Sequence, residues 1–285
     1  MLQSKRAKFY STYISGQNFA LPGTIMFYIL MNPKTAALYQ KLIKTCKYFF
    51  VKNPILIVYG LRYNGDKWIV DEKPFDLSKL TCKVWNTYYL NIELTTSVKT
   101  GNQRLLSSLM QKLYRCDAKE LTLSYQVLSF RDLYILISSA KVISFYNVTI
   151  KNENGSNVAL EKVFEIAVKA KRLRIFLNTS LPNITSQTFT ELMKIRHFSQ
   201  LNYLYMDDIP EAFDIEAFYA YMKKNKTTTF NLQFVRSISD AYKSRLEEIV
   251  DEILATEVLN YRCPLFDFPG LSSTKFMQLR RAFNK

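Results

Sequence analysis

The sequence predicts a mixed α/β protein: short parallel strands alternating with outer helices, preceded by a small helical module. Three observations lead there. Short segments of alternating apolar and polar residues recur along the chain. Helix-patterned segments lie between them. The N-terminal stretch holds apolar, cationic helices that fit neither repeat.

The chain begins "MLQSKRAKFYST", basic but with no apolar core behind it, so it does not read as a signal peptide. From Leu21 to Phe50 the sequence "LPGTIMFYILMNPKTAALYQKLIKTCKYFF" contains no acidic residue. A first helix is expected over about Thr24–Met31, carrying Ile25, Phe27, Ile29 and Leu30. Asn32-Pro33 reads as the start of a second, with Asn as N-cap and Pro pre-set for the first turn, running to about Lys52. On that helix Leu38, Leu42, Cys46 and Phe49 form one apolar row, with Tyr39, Ile43 and Phe50 beside it. Two helices this short bury too little against each other to stand alone, so the surplus must cover the rest of the chain or a partner. The expected division is a basic helical module over 1–53 and an α/β unit over 54–285.

Three segments share the pattern Ala-Lys-x-apolar-x-apolar: "AKELTL" from Ala118, "AKVISF" from Ala140 and "AKRLRI" from Ala170. Each reads as a strand with one buried face. "YLNIEL" (Tyr89–Leu94), "QLNYLY" (Gln200–Tyr205) and "TFNLQF" (Thr229–Phe234) are similar. Their first inward residues are expected at Leu90, Leu121, Ile143, Leu173, Leu201 and Phe230, giving gaps of 31, 22, 30, 28 and 29. Such a period belongs to leucine-rich solenoids.

Helical patterns follow each strand. They are "NQRLLSSLMQKLY", "SFRDLYILISSA" with Ser129 as N-cap, "LEKVFEIAVKA", "SQTFTELMKIRHF", "DIEAFYAYMKKN" capped by Asp214, and "SDAYKSRLEEIVDEIL". The last places Tyr242, Leu246, Ile249, Val250 and Ile253 on one face. Strand then helix, six times, implies an irregular leucine-rich-repeat-like solenoid of parallel strands and outer helices, with an ordinary doubly wound domain as the alternative. The leucine-rich consensus places an Asn five residues past the first inward Leu, and only Asn178 after Leu173 supplies it; the turn "KNENGSN" (Lys151–Asn157) is expected to enlarge one unit. Residues between the inward positions would line an open sheet face: Asn91, Glu93, Thr122, Ser124, Ser144, Tyr146, Arg174, Phe176, Asn202, Asn231 and Gln233. Polar groups with aromatic anchors suit a protein-binding face, and an ordinary solvated sheet has the same appearance.

Enzyme chemistry finds few carriers. The chain has one histidine, His197, in "MKIRHFSQL" near a helix end, so sites needing two histidines are excluded. There is no glycine-rich phosphate loop and no calcium loop. Asp207-Asp208 and Glu247-Glu248 are neighbours in sequence only, and a helix would point the second pair to different faces. Cys46, Cys82, Cys116 and Cys263 lie far apart without a C-x-x-C pair. They read as buried thiols in a reducing compartment, cytoplasmic or nuclear, and not as a metal site. No apolar run reaches the ~20 residues of a membrane helix. Neither a catalytic residue nor a metal or cofactor is expected.

The N-terminal motif carries a resemblance. Leu21-Pro22, then Ile25 and Ile29-Leu30, then "LIKTCKYFF" closing on Cys46-Lys47-Tyr48-Phe49, resembles the F-box; with the strand–helix array behind it, the chain resembles the divergent F-box proteins expanded in nematodes. That resemblance implies docking on a Skp-type adaptor within a cullin ubiquitin ligase (an SCF assembly), with the solenoid holding a protein substrate. Carried over, the adaptor contacts fall on Leu21, Pro22, Ile25, Ile29, Leu42 and Cys46. The chain departs from the family at Gly23-Thr24, where an acidic residue is usual, and in the short spacing between its two helical elements.

The net charge is +15, and residues 1–65 contribute nine lysines and arginines with no Asp or Glu. A basic docking module suits an acidic adaptor. The same segment could bind nucleic acid, and the fold alone is compatible with a leucine-rich scaffold that has no ligase role.

Overall fold

The structure, a computed structural model, describes residues 2–13, 18–94, 105–176 and 184–284. It is a mixed α/β protein with one large, mostly parallel sheet and, among the described residues, eleven α-helices.

Four helices come first: α1 (Leu2–Ser11), α2 (Gly23–Met31), α3 (Ala36–Thr45) and α4 (Lys47–Lys52). The expected single second helix is two. Its N-cap is Thr35, whose Oγ1 accepts from the Leu38 amide at 3.1 Å, and not Asn32. It breaks at Cys46, which is extended (φ −149, ψ 129) and caps α4 through Sγ, 3.4 Å from the Tyr48 amide. Asn32 instead ends α2, both its backbone and side-chain N–H groups donating to the Tyr28 carbonyl.

The rest alternates strand and helix. β1 (Ile55–Tyr63) leads into two short antiparallel strands, β2 (Trp68–Val70) and β3 (Lys73–Phe75), and then β4 (Lys83–Ile92). After α5 (Leu105–Lys112) come β5 (Leu113–Cys116), β6 (Glu120–Ser124), β7 (Val127–Ser129), α6 (Phe130–Ile137), β8 (Val142–Tyr146), β9 (Thr149–Lys151) and α7 (Leu160–Ile166). Then follow β10 (Arg172–Phe176), α8 (Thr188–Lys194), β11 (Tyr203–Ile209), α9 (Ile215–Lys224), β12 (Thr229–Phe234), α10 (Asp240–Ala255), β13 (Leu265–Asp267) and α11 (Ser273–Phe283). The sheet runs β13-β12-β11-β10-β8-β6-β4-β1-β2-β3, with β5 also paired to β4. From β1 to β13 every pairing on this path is parallel, and the path follows chain order, passing over β2, β3, β5, β7 and β9.

Two apolar rungs cross these strands. One is Leu61, Leu90, Leu121, Ile143, Leu173, Leu204 and Phe230; the next is Tyr63, Ile92, Leu123, Phe145, Ile175, Met206, Leu232 and Phe266. All are buried in one cluster with the apolar faces of α5 to α10 and Leu279 of α11. Alternation along each strand therefore sends every second side chain to the helical side and its neighbours to the other. Burial at about 25 cal/mol per Å² along these rungs is the main force holding sheet to helices.

One rung position differs from the sequence expectation. Leu201 is buried but precedes β11, behind a 3₁₀ turn over Phe198–Gln200; Leu204 occupies the rung. The first rung position thus lies three residues further on, an odd step that swaps the faces, so Asn202 is off the open face and Tyr203 and Tyr205 are on it. A second regularity went unforeseen. Tyr125, Asn147 and Asp208 have positive φ (53°, 54° and 58°), and each lies four residues past its first rung residue, Leu121, Ile143 or Leu204. The chain turns there by the same left-handed step, which Asn and Asp accept more readily than Tyr. At the position after Tyr125, buried Gln126 donates from Nε2 to the Ser124 carbonyl at 3.2 Å. Asn178 lies outside the described residues.

Caps and turns agree with the sequence elsewhere. Ser129 Oγ accepts from the Asp132 amide, Asp214 Oδ1 from the Ala217 amide, and Gly155 (φ +80°) closes the Lys151–Asn157 turn. At the β1 bulge Gly60 lies under Tyr89, where a Cβ would fall 2.0 Å from the ring.

Candidate functional site

Two surfaces gather the residues singled out by the sequence. The first is the outer side of α2. Pro22 cannot continue a helix backward, but its carbonyl accepts from the Ile25 and Met26 amides (3.0 and 3.1 Å) and starts one. The helix is apolar on all sides. Met26 and Leu30 are buried against Phe49, with Phe19, Ile29, Leu42, Ile43, Cys46 and Tyr48 around them. The opposite side is open: Phe27 and Tyr28 are 60% and 66% exposed, and Leu21, Ile25 and Met31 are exposed beside them. Leu38 of α3 is exposed as well.

The six expected adaptor residues divide accordingly. Leu21, Pro22 and Ile25 are exposed; Ile29, Leu42 and Cys46 are half-buried and pack the module's own interior. Phe27, Tyr28 and Met31 are the exposed residues that motif matching missed; stepping three and four residues from Thr24, and three more from Tyr28, would have found them.

The module is fastened to the sheet on its far side. Tyr39 of α3 is 1% exposed and packs with Ile55 and Trp85. Its hydroxyl donates to the Asn53 carbonyl at 2.5 Å and accepts from the Ile55 amide at 3.1 Å. Burial, above all, pushes that phenol up to about 12. Asn53 Nδ2 donates to the Leu30 carbonyl at 2.8 Å, and Tyr114 Oη to the Met31 carbonyl at 3.2 Å. Trp85 Nε1 and Arg115 Nε both donate to Asp117, at 2.8 and 2.9 Å. These bonds hold the C-terminal end of α2 close to the strand starts.

The second surface is the sheet face away from the helices. Asn91, Thr122, Ser144, Arg174, Tyr205 and Asn231 form one rung across it. Tyr146 and Phe176 pair in the next, and Gln233 pairs with Asp267 further along. Of the eleven residues expected on the open face, Asn91, Thr122, Ser144, Tyr146, Arg174, Phe176, Asn231 and Gln233 are thus on this side, and Asn202 is not. Most are half-buried; Ser144 is only 4% exposed, which leaves it as floor. The rings of Tyr146 and Phe176 stack at 4.2 Å and Phe176 and Tyr205 meet at 4.8 Å. Arg172 and Arg174 lie 5.4 and 5.8 Å from the Tyr203 ring centre. Burial, then nearby Asp207, raises the Tyr205 phenol, and burial with Asp207 raises the Asp208 carboxyl.

Nothing catalytic is assembled at either place. His197 lies beyond α8, its Nε2 2.7 Å from the Phe164 carbonyl oxygen. Glu247 and Glu248 face different cations, Lys275 and Arg245. Among the described residues no group of three or more His, Cys, Asp or Glu could hold a metal ion, and no helix is long and apolar enough to cross a membrane. No protein-family model matches the chain, and no curated protein matches it.

Proposed function

We infer that this protein is a substrate-recognition subunit of an SCF-type ubiquitin ligase. The N-terminal helices act as a divergent F-box that docks on a Skp-type adaptor, and the strand–helix array acts as an irregular leucine-rich-repeat-like solenoid that holds a protein substrate. The protein catalyses nothing itself; it raises the concentration of substrate near the conjugating enzyme. The observation that carries the reading is the exposed apolar side of α2, which begins at Leu21-Pro22 and continues through Ile25 and Tyr28 on a helix whose other side is already packed. An apolar patch on a helix held firmly in place is the form expected of an obligate docking element. Supporting the solenoid are the sequential strand order, the two apolar rungs and the repeated left-handed turn. The cations of the module favour an acidic partner.

The test is reconstitution with purified Skp-type adaptor. Wild type is expected to co-elute with it, and Ile25→Asp with Tyr28→Asp to elute alone. Both substituted residues are exposed, so the variant keeps its fold, whereas Leu42 packs inside and would confound the result. A wild-type protein that forms no complex would sink the ligase reading.

A further inference from the structure

The open sheet face carries a charge pattern that selects among ligands. Arg172 and Arg174 stand on alternate residues of β10, about 6–7 Å apart along the strand and on the same side. Both guanidinium groups lie over Tyr203. Among the described residues neither side chain makes a hydrogen bond or ion pair, so donors of both forks are unspent. Beside them runs the ladder of Tyr146, Phe176 and Tyr205. Asp207 stands within the ladder, in register with Phe176 and next after Tyr205 on that face of β11, and Asp267 ends β13.

We propose that this face binds an extended, unmodified acidic peptide: a carboxylate side chain is held between Arg172 and Arg174, and a neighbouring aromatic or large apolar side chain lies on the Phe176–Tyr205 rings. The inference rests on reading this face as the substrate surface and names its ligand class. Paired guanidinium groups give a carboxylate short, charge-assisted bonds, and the Tyr203 ring holds them in place without neutralising them. The ring ladder supplies flat apolar area at low entropic cost. The carboxylates beside the rings (Asp207) and at the end of β13 (Asp267) decide against a polyanion such as single-stranded RNA, whose next phosphates would run into them. A peptide meets those carboxylates with a neutral or cationic residue.

The probe is a random glutamate–tyrosine copolymer, immobilised, with the full chain in solution at physiological salt. Wild type is expected to be retained. Arg172→Gln with Arg174→Gln should weaken retention about tenfold or more, the loss expected when two charge-assisted contacts go. Lys41→Gln with Lys44→Gln, in the helical module, should leave it unchanged. A lysine–tyrosine copolymer should not be retained, and oligouridylate should not compete. Failure of wild type to bind, indifference to the arginine substitutions, or displacement by oligouridylate at equal charge would overturn the proposal. Thermal melting of the arginine variant guards against misfolding, and Arg174→Lys keeps the charge while removing the fork, so partial retention there separates recognition from lost packing. Adaptor binding by the arginine variant is read in parallel. A chain that binds the copolymer but no adaptor retains this site and loses the ligase role; the reverse result removes this site alone.

Discussion

The helical module and the strand–helix array are built from similar proportions of apolar residues and spend them differently. In the array each inward side chain meets one on the next strand and another on a helix, so Leu121 and Leu173 are 1% exposed and Leu90 and Leu204 fully covered. In the module α2 is as apolar, yet only Met26 and Leu30 are buried and its other side faces outward. The exposed apolar residues of the array, such as Tyr134, Val168 and Val258, sit on separate elements, whereas Leu21, Ile25, Phe27, Tyr28 and Met31 gather on and beside α2. The difference teaches that the pattern of burial, and not apolar content, distinguishes the two regions.

Substitutions can break that contrast. The largest effect is expected in the array: Leu121→Ala leaves a cavity between rung and helix and should cost about 2–5 kcal/mol, read by urea unfolding. A smaller loss would mean that the rung is loosely packed. At the joint between the regions, Tyr39→Phe removes a hydroxyl that donates to the Asn53 carbonyl and accepts from the Ile55 amide. It should cost about 1–3 kcal/mol. Because the Tyr39 phenol is raised from 10.0 to about 12 in the fold, its ionisation favours unfolding. Its contribution is intact below pH 10 and falls as pH rises toward 12, so wild type should lose stability across that window more steeply than Tyr39→Phe. The smallest effect on folding is expected for Ile25→Asp, within about 0.5 kcal/mol, since the side chain touches solvent. A large destabilisation there would mean that the outer side of α2 is part of the fold and would remove the reason to seek a partner for it.

Legibility in the sequence followed the same divide. β12 was readable to the residue because Thr-Phe-Asn-Leu-Gln-Phe alternates without interruption. Ser129 and Asp214 announced their helices because a side-chain oxygen before an amphipathic run does one thing well. β1 was hidden by a continuous apolar run and a bulge at Val58–Gly60, which erase the two-residue period. At β11, Leu201 and Leu204 each start a plausible alternation, and the 3₁₀ turn that chooses between them is a tertiary matter. The break at Cys46 has no Gly or Pro to signal it. Of the open face, Arg174, Tyr146 and Phe176 were foreseen; Tyr203 and Tyr205 were lost with the shifted frame.

The wiring of the sheet has a consequence for how such a chain can change over generations. Each strand from β4 to β13 on the main path lies beside its predecessor, so nearly all long contacts are made between consecutive stretches of chain. Duplicating or excising one stretch would leave every remaining neighbour in place. The open sheet face could then be lengthened or trimmed in whole steps, while the helices at the front stayed as they are.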